Sequence, residues 1–125
     1  MPVRVLLAED QAAFAEGLRT LLGREPRLEI VATARDGGEA VELALASPVD
    51  VVVMDLTLPR VDGLEATRRL RRDCPGVQVV VLSAASADEA EAAALGAGAA
   101  AYVTKSSAYD ALVDTILAVA PARSA

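Results

Sequence analysis

The chain has 125 residues and a formal net charge of −6, with one cysteine and no histidine. This length gives a single domain that can bury roughly two-thirds of its unfolded surface. The lack of histidine excludes a serine–histidine triad and histidine zinc ligands, and a lone cysteine excludes an intrachain disulfide and a cysteine metal cluster. The acidic charge argues against direct contact between this domain and nucleic acid.

The apolar segments are short. No uncharged stretch reaches the roughly 18 residues that a membrane span needs, and the N-terminal residues lead directly into a predicted strand instead of a cleavable signal. We therefore expect a cytoplasmic protein without membrane contact.

Apolar periodicity alternates between strand and helix along the chain. The predicted strands are residues 3–8, 28–34, 50–55, 77–82 and 99–104. A helical stripe follows each strand, and these stripes include Phe14, Leu18, Leu21, Leu22, Ala40, Val41, Ala44, Leu45, Leu64, Thr67, Leu70, Leu95, Tyr109, Leu112, Val113, Ile116 and Leu117. Ser86 is the predicted N-cap of the fourth helix, in which Leu95 is the predicted large apolar anchor. Five strand–helix units in succession predict an α/β fold with a parallel five-stranded sheet and helices on both faces.

Residues 1–119 form the predicted domain. Residues 120–125 contain Pro121 and have no periodicity, so they are predicted to begin a linker or a disordered tail.

Charged side chains follow three of the apolar strands. Glu9 and Asp10 come directly after the first, Asp55 ends the third, and Lys105 follows the fifth. Because ligands bind just beyond the carboxyl ends of parallel strands, these side chains are expected to meet at one rim of the sheet. Three acids and a lysine at one rim indicate a site for a metal ion and a phosphate.

The same positions carry a family resemblance. Glu9-Asp10, Asp55 followed by Pro59 and Gly63, Ser83-Ala84 and Lys105 occur in the order found in two-component response-regulator receiver domains, and the chain resembles them over essentially its whole length. The sequences of residues 8–11, 17–22, 36–40 and 63–66 are similar to those of NarL/LuxR-type regulators. Members of that family usually continue into a DNA-binding helix-turn-helix domain. The resemblance implies a flavodoxin-like (βα)5 fold with sheet order 2-1-3-4-5.

In that order the first and third strands are neighbours, so their three carboxylates would repel one another and raise each other's pKa unless a cation lay between them. Oxygen ligands without sulfur or imidazole favour Mg²⁺. The resemblance then implies a role for each site residue. Asp55 is the phosphoacceptor and a metal ligand, Asp10 is a second ligand, Thr57 adds its backbone carbonyl, and Glu9 acts on the metal through water. Lys105 and Ser83 contact the phosphoryl group. Tyr102 and Ser83 form the switch.

The implied phosphodonor is a sensor histidine kinase. The implied output is a change in the face of the fourth helix, fifth strand and fifth helix, with transcription regulated through a DNA-binding domain. A homodimer through this face is compatible with the resemblance. The chain is predicted to be a phosphoacceptor that contributes to its own phosphorylation, and not an enzyme.

Four alternatives remain open at this point. A stand-alone receiver and a pseudo-receiver that acts only by protein contact would have the same fold. A haloacid-dehalogenase-type phosphatase needs a second acid where Thr57 stands, and a flavodoxin-like electron carrier needs a phosphate-binding loop where Glu9 and Asp10 offer repulsion. Ser106 also departs from the proline that many receivers have after the lysine, which leaves the geometry of that peptide bond open.

Overall fold

The computed structural model describes residues 1–84, 88–106 and 109–121. Across these ranges, strands and helices alternate as β1 (Val3–Ala8), α1 (Ala12–Leu22), β2 (Leu28–Ala34), α2 (Gly37–Ala46), β3 (Val51–Asp55), α3 (Gly63–Asp73), β4 (Gln78–Ser83), α4 (Asp88–Gly96), β5 (Ala101–Thr104) and α5 (Tyr109–Val119). The predicted N-cap Ser86 and residues 122–125 of the predicted tail lie outside the described residues.

The strands form one parallel sheet in the order β2-β1-β3-β4-β5, which confirms the predicted fold. The register brings the carboxyl ends of the strands together, since Ala8 pairs with Met54 and Ser83 pairs with Thr104. Asp55, at the end of β3, pairs with Leu82 on β4. The residues that follow β1, β3 and β5 therefore emerge along one rim.

Side chains alternate between two hydrophobic layers on the faces of the sheet. Val5 and Leu7 face α1 and α5, whereas Leu6 and Ala8 face α2, α3 and α4. We call these the α1/α5 layer and the α2/α3/α4 layer. The central strands are buried on both faces, as is typical of parallel sheets.

Three predicted apolar helix positions are wrong in detail. Leu21 on α1, Leu45 on α2 and Leu95 on α4 are 39%, 58% and 46% exposed. Successive helical residues are about 100° apart, so at the edge of the buried face one residue can be buried while its neighbour faces solvent. On α4 the buried residue is Ala94, and α4 is therefore held by a small side chain and not by Leu95.

The fifth strand begins two residues later than predicted, at Ala101. The preceding residues close the end of α4, because the Ala99 N–H donates to the Ala94 carbonyl at 3.1 Å. Gly98 makes this turn with a φ of 110°, a conformation that glycine adopts more easily than other residues. The Ala100 N–H then reaches the Val79 carbonyl at 2.8 Å and leads the chain into the sheet.

Candidate functional site

Backbone hydrogen bonds fix the positions from which the Glu9 and Lys105 side chains leave the sheet. The Glu9 N–H donates to the Ala34 carbonyl at 2.9 Å and holds the end of β1 against β2. The Lys105 N–H donates to the Ser83 carbonyl at 2.7 Å and holds the end of β5 against β4. Asp55 is the last residue of β3, between these two points.

The predicted acids and lysine come together at this rim. Carboxylate oxygens of Glu9, Asp10 and Asp55 lie within 4.8 Å of one another. The Lys105 Nζ is 3.1 Å from Glu9 Oε1 and 3.4 Å from Asp55 Oδ2. Glu9 and Asp55 are buried, with 3% and 6% of their surface exposed, whereas Asp10 is open to solvent.

Burial and neighbouring charges shift the pKa values of Glu9 and Lys105. Burial raises the pKa of Glu9 to about 7, and the hydrogen bond to Asp55 and the Asp55 charge act in the same direction against the opposing effect of Lys105. Burial would lower the pKa of Lys105, but its hydrogen bond to Glu9 and the charges of Asp55 and Glu9 outweigh that effect and raise it. The cluster therefore favours a cation at its centre.

The donor set suits a hard cation. The three clustered side chains supply only carboxylate oxygens, which Mg²⁺ prefers over the nitrogen and sulfur ligands typical of zinc sites. One acid is exposed, so a cation could enter from solvent and keep several of its waters.

The loop after β3 folds back onto Asp55. The Thr57 N–H donates to Asp55 Oδ1 at 3.2 Å, and the Gly63 N–H donates to the Leu56 carbonyl at 3.1 Å. A Cβ on residue 63 would lie only 2.2 Å from the Asp55 backbone oxygen, so only glycine permits this approach. Thr57 is exposed two residues after Asp55, and the role predicted for its backbone carbonyl remains a prediction.

A clamp between this loop and α2 was missed by sequence reasoning. Arg60 has a φ of 62°, and its guanidinium lies 2.7 Å from Asp36 Oδ2. Asp36 also caps α2 by accepting the Glu39 N–H at 2.8 Å, while the Gly37 N–H donates to the Val61 carbonyl at 2.9 Å. The spacing of Asp36 and Glu39 signals a helix start, but nothing in the sequence pairs Asp36 with Arg60.

The two predicted switch residues lie near the same end of the sheet. Ser83 is the last residue of β4 and is buried. Tyr102 on β5 is half-buried and packs against the α2/α3/α4 layer. The bond between Lys105 and Ser106 is not cis, and the described residues contain no cis peptide bond.

Phe14 also lies beside the site, although the sequence predicted it only as a residue on the apolar face of a helix. Its ring centroid lies 4.4 Å from the Lys105 Nζ. The helical spacing explains why Phe14 faces inward, but the sequence contains no signal for contact with a lysine far along the chain.

The arginines of α3 form a solvated face. Arg68 and Arg69 pair with Glu65, and Arg72 pairs with Asp73. Glu65 and Asp73 therefore offset part of the positive charge on this helix.

Comparison with known proteins identifies the family. The family model of the response regulator receiver domain matches residues 5–117, and the chain therefore belongs to the response regulator receiver domain family. A solved two-component response regulator of the LuxR family from Aurantimonas sp. SI85-9A1 has a TM-score of 0.91 and 39% identity, with 95% of this chain and 85% of that chain covered.

Two curated relatives are longer than this chain. The transcriptional regulatory protein DegU of Brevibacillus brevis is 37% identical over 118 residues, which cover 94% of this chain and 50% of DegU. Protein-glutamate methylesterase/protein-glutamine glutaminase 4 of Myxococcus xanthus is 44% identical over 105 residues, which cover 83% of this chain and 30% of that protein. The chain thus spans half or less of these relatives.

The homologues include NarL/LuxR-type response regulators, as the sequence motifs predicted. Family membership favours the receiver over the phosphatase and electron-carrier alternatives. Among the described helices, none combines the length and apolar content needed to cross a lipid bilayer.

Proposed function

We propose that Asp55 accepts a phosphoryl group from the phosphohistidine of a sensor histidine kinase, in the cytoplasm and with Mg²⁺ at the rim. The observation that carries this proposal is the position of the Asp55 carboxylate. It lies within 4.8 Å of Glu9 and Asp10 oxygens and 3.4 Å from the Lys105 ammonium, at the carboxyl end of a buried strand.

Asp10, Asp55 and the backbone carbonyl of Thr57 would hold Mg²⁺, and Glu9 would contact it through water. When bound, the ion would neutralise charge on the carboxylates and on the transferring phosphoryl group. The remaining catalytic work falls to the side chains of this chain.

Asp55 supplies the nucleophilic oxygen. A new P–O bond forms to its carboxylate while the P–N bond to the donor imidazole breaks, and the released nitrogen takes up a proton from solvent. The Thr57 N–H donates to Asp55 Oδ1, so it orients the carboxylate and leaves Oδ2 on the side of Lys105.

Lys105 stabilises the charge that develops on the phosphoryl oxygens. Its ammonium already lies between Glu9 and Asp55, so a short side-chain movement would transfer its hydrogen bonds to the new phosphate. The Ser83 hydroxyl would donate to another phosphoryl oxygen from the adjacent end of β4. Such preorganised donors are the main protein contribution to phosphoryl transfer.

Movement of Ser83 and Lys105 toward the phosphate would change the face formed by α4, β5 and α5. Tyr102 lies on this face and would turn as the serine moves. The altered face would contact partners or a second copy of the chain, and would regulate transcription through a DNA-binding domain in the whole protein. The relative DegU, whose name describes a transcriptional regulatory protein, supports this output.

The test is intact-mass spectrometry after incubation with acetyl phosphate and Mg²⁺. We expect one added phosphoryl group, which is lost with a chelator and in Asp55→Asn. The matched control is Asp73→Asn, because Asp73 is an acid at the far end of α3 and should leave uptake unchanged.

The outcomes separate the candidate functions. No uptake from acetyl phosphate or from a phosphorylated histidine kinase would contradict the proposal and favour a pseudo-receiver. Continuous hydrolysis of phosphate esters would instead favour a phosphatase.

A further inference from the structure

The ammonium of Lys105 has two kinds of neighbour. On one side are the carboxylates of Glu9 and Asp55, at 3.1 and 3.4 Å. On another side is the ring of Phe14, whose centroid lies 4.4 Å from Nζ. This distance is well within the roughly 6 Å range of a cation–π interaction, in which the negative face of the ring attracts the cation.

A lysine at this position needs support for its side chain. The backbone of Lys105 is fixed by the hydrogen bond to Ser83, but the flexible aliphatic stem separates that backbone from Nζ. Fixing the stem costs rotamer entropy, which contacts with the ammonium and the stem itself must offset. Phe14 supplies such a contact from α1, where it packs against the α1/α5 layer.

The two kinds of contact differ in how strictly they depend on the direction of the N–H groups. A carboxylate holds the ammonium through particular N–H groups, whereas a ring face attracts it without requiring one particular N–H to point at one atom. The ring therefore matters most when the ammonium has left a carboxylate for a phosphoryl oxygen, because the ring face still attracts it while the carboxylate contact is lost.

We propose that Phe14 is a positioning residue for Lys105, whose ring face holds the ammonium between the acidic cluster and the incoming phosphoryl group. This inference rests on the proposed phosphoacceptor function and adds a residue that acts through Lys105. It predicts that the electron density of the ring, beyond its size, influences the rate of phosphoryl uptake.

The surroundings of the Phe14 ring allow the effects of its electron density and of its size to be tested separately. A cavity of about 160 Å³ lies beside Phe14 and Lys105, lined also by Leu18 and Tyr109. Small substituents on the ring can occupy this space with little displacement of the backbone. Phe14 is the only phenylalanine in the chain, so residue-wide incorporation of a fluorinated phenylalanine changes this ring alone.

The experiment measures the rate of phosphoryl uptake from acetyl phosphate with Mg²⁺ for the unmodified protein and for mono-, di- and trifluorinated Phe14. Each fluorine weakens the negative ring face while largely preserving shape. We expect the rate to fall stepwise, to about one-half to one-fifth at the end of the series, which corresponds to loss of an ordinary cation–π interaction. Phe14→Leu should slow uptake by a similar factor. Phe14→Tyr, which keeps an aromatic ring, should retain most of the parent rate.

Lys105→Met provides the matched background. If the ring acts through the ammonium, fluorination should no longer change the residual rate in this variant. The ¹⁹F resonance of 4-fluoro-Phe14 should also move between the parent protein and Lys105→Met, which tests the contact without any phosphorylation. Thermal unfolding of every variant separates loss of folding from loss of positioning.

Equal rates along the fluorinated series, in protein that does take up phosphate, would overturn the inference alone. An unchanged ¹⁹F resonance on Lys105→Met would overturn the contact itself. Failure of the unmodified protein to take up phosphate from either donor would instead overturn the proposed function, and this inference with it.

Discussion

Gly63 is the residue at which the loop after β3 comes closest to the backbone of Asp55. A methyl group there would lie 2.2 Å from the Asp55 oxygen and 2.9 Å from the Leu56 Cα, so Gly63→Ala must displace the start of α3. We expect a loss of about 1–3 kcal/mol in the free energy of unfolding, measured by urea denaturation, because overpacking against backbone has no simple relief. Uptake of phosphate by Asp55 should slow as well.

Gly17→Ala is the control for that substitution. Position 17 lies in α1, and a methyl group placed there would have no heavy atom within 4 Å outside its own stretch of helix. Alanine should therefore raise the free energy of unfolding by about 0.5–1 kcal/mol through its better helix propensity. Equal effects of the two substitutions would contradict the steric explanation for Gly63.

Asp36 gives a pH dependence with a definite sign. The Glu39 N–H and the Arg60 guanidinium hold the pKa of Asp36 below its ordinary value of 3.8. A lowered pKa in the folded state adds stability above pH 3.8, and this stability is lost as the pH falls through the folded value. Asp36→Asn retains an N-cap acceptor but lacks the charge.

The measurement is the free energy of unfolding of the parent and of Asp36→Asn from about pH 6 down to about pH 2. We expect the advantage of the parent to shrink as the pH falls below the ordinary carboxyl range. Asp36→Ala should be less stable than Asp36→Asn at every pH, since it loses the cap as well. A parent advantage that stays constant with pH would contradict the ionic part of the clamp.

At the scale of the element, α4 is the helix that the core holds least. Among its described residues only Ala94 is buried, whereas α1 buries Ala15, Leu18 and Leu22. Apolar area removed from water governs how firmly a helix is held, and a methyl group removes little. We expect amide hydrogens of α4 to exchange at least about tenfold faster than those of α1 in NMR exchange measurements.

The control helix for this comparison is α5, which buries Leu112, Val113 and Ile116 and should be protected like α1. Exchange in α4 that is as slow as in α1 would show that contacts other than apolar burial hold this helix. It would also weaken the proposal that α4 belongs to the responsive face.

The helices also show where sequence reasoning loses precision. A stripe of large side chains identifies the buried face of α1 and α5, but the alanine-rich α4 offers too little contrast to separate Ala94 from Leu95. On α2, Ala40 and Ala44 are buried in the α2/α3/α4 layer, whereas Leu45 lies outside this layer and faces solvent. The strands were easier to predict because β3 is buried along its whole length.

At the scale of the whole molecule, binding of Mg²⁺ should appear as added stability. A ligand that binds only the folded state at ten times its Kd adds about 1.4 kcal/mol, or roughly 4–8 °C in Tm for a domain of this size. We expect MgCl₂ to raise Tm in calorimetry, and NaCl at matched ionic strength to produce a smaller change. Asp10→Asn should lose most of the response, and Asp73→Asn should keep it.

A Tm that rises equally with both salts would mean that general screening, and not a site, accounts for the effect. The same result in Asp10→Asn and in the parent would remove Asp10 from the set of ligands.

Much of this architecture could be predicted because parallel sheets impose it. Once five strands were identified, the position of Glu9, Asp10, Asp55 and Lys105 at one rim followed from chain direction and family resemblance. The Asp36–Arg60 clamp and the Phe14–Lys105 contact could not be predicted in this way. Both depend on side chains from separate elements meeting in space, and neither partner carries a local sequence signal for the other.

The arrangement of the two tyrosines gives the protein a spectroscopic reporter in each layer. Tyr109 packs in the α1/α5 layer and donates its hydroxyl hydrogen to the Leu21 carbonyl, whereas Tyr102 packs against the α2/α3/α4 layer. The chain has no tryptophan, so its ultraviolet emission comes from these two rings. Tyr109→Phe would leave Tyr102 as the sole tyrosine, and its fluorescence would then report on the α2/α3/α4 side of the sheet without any attached dye.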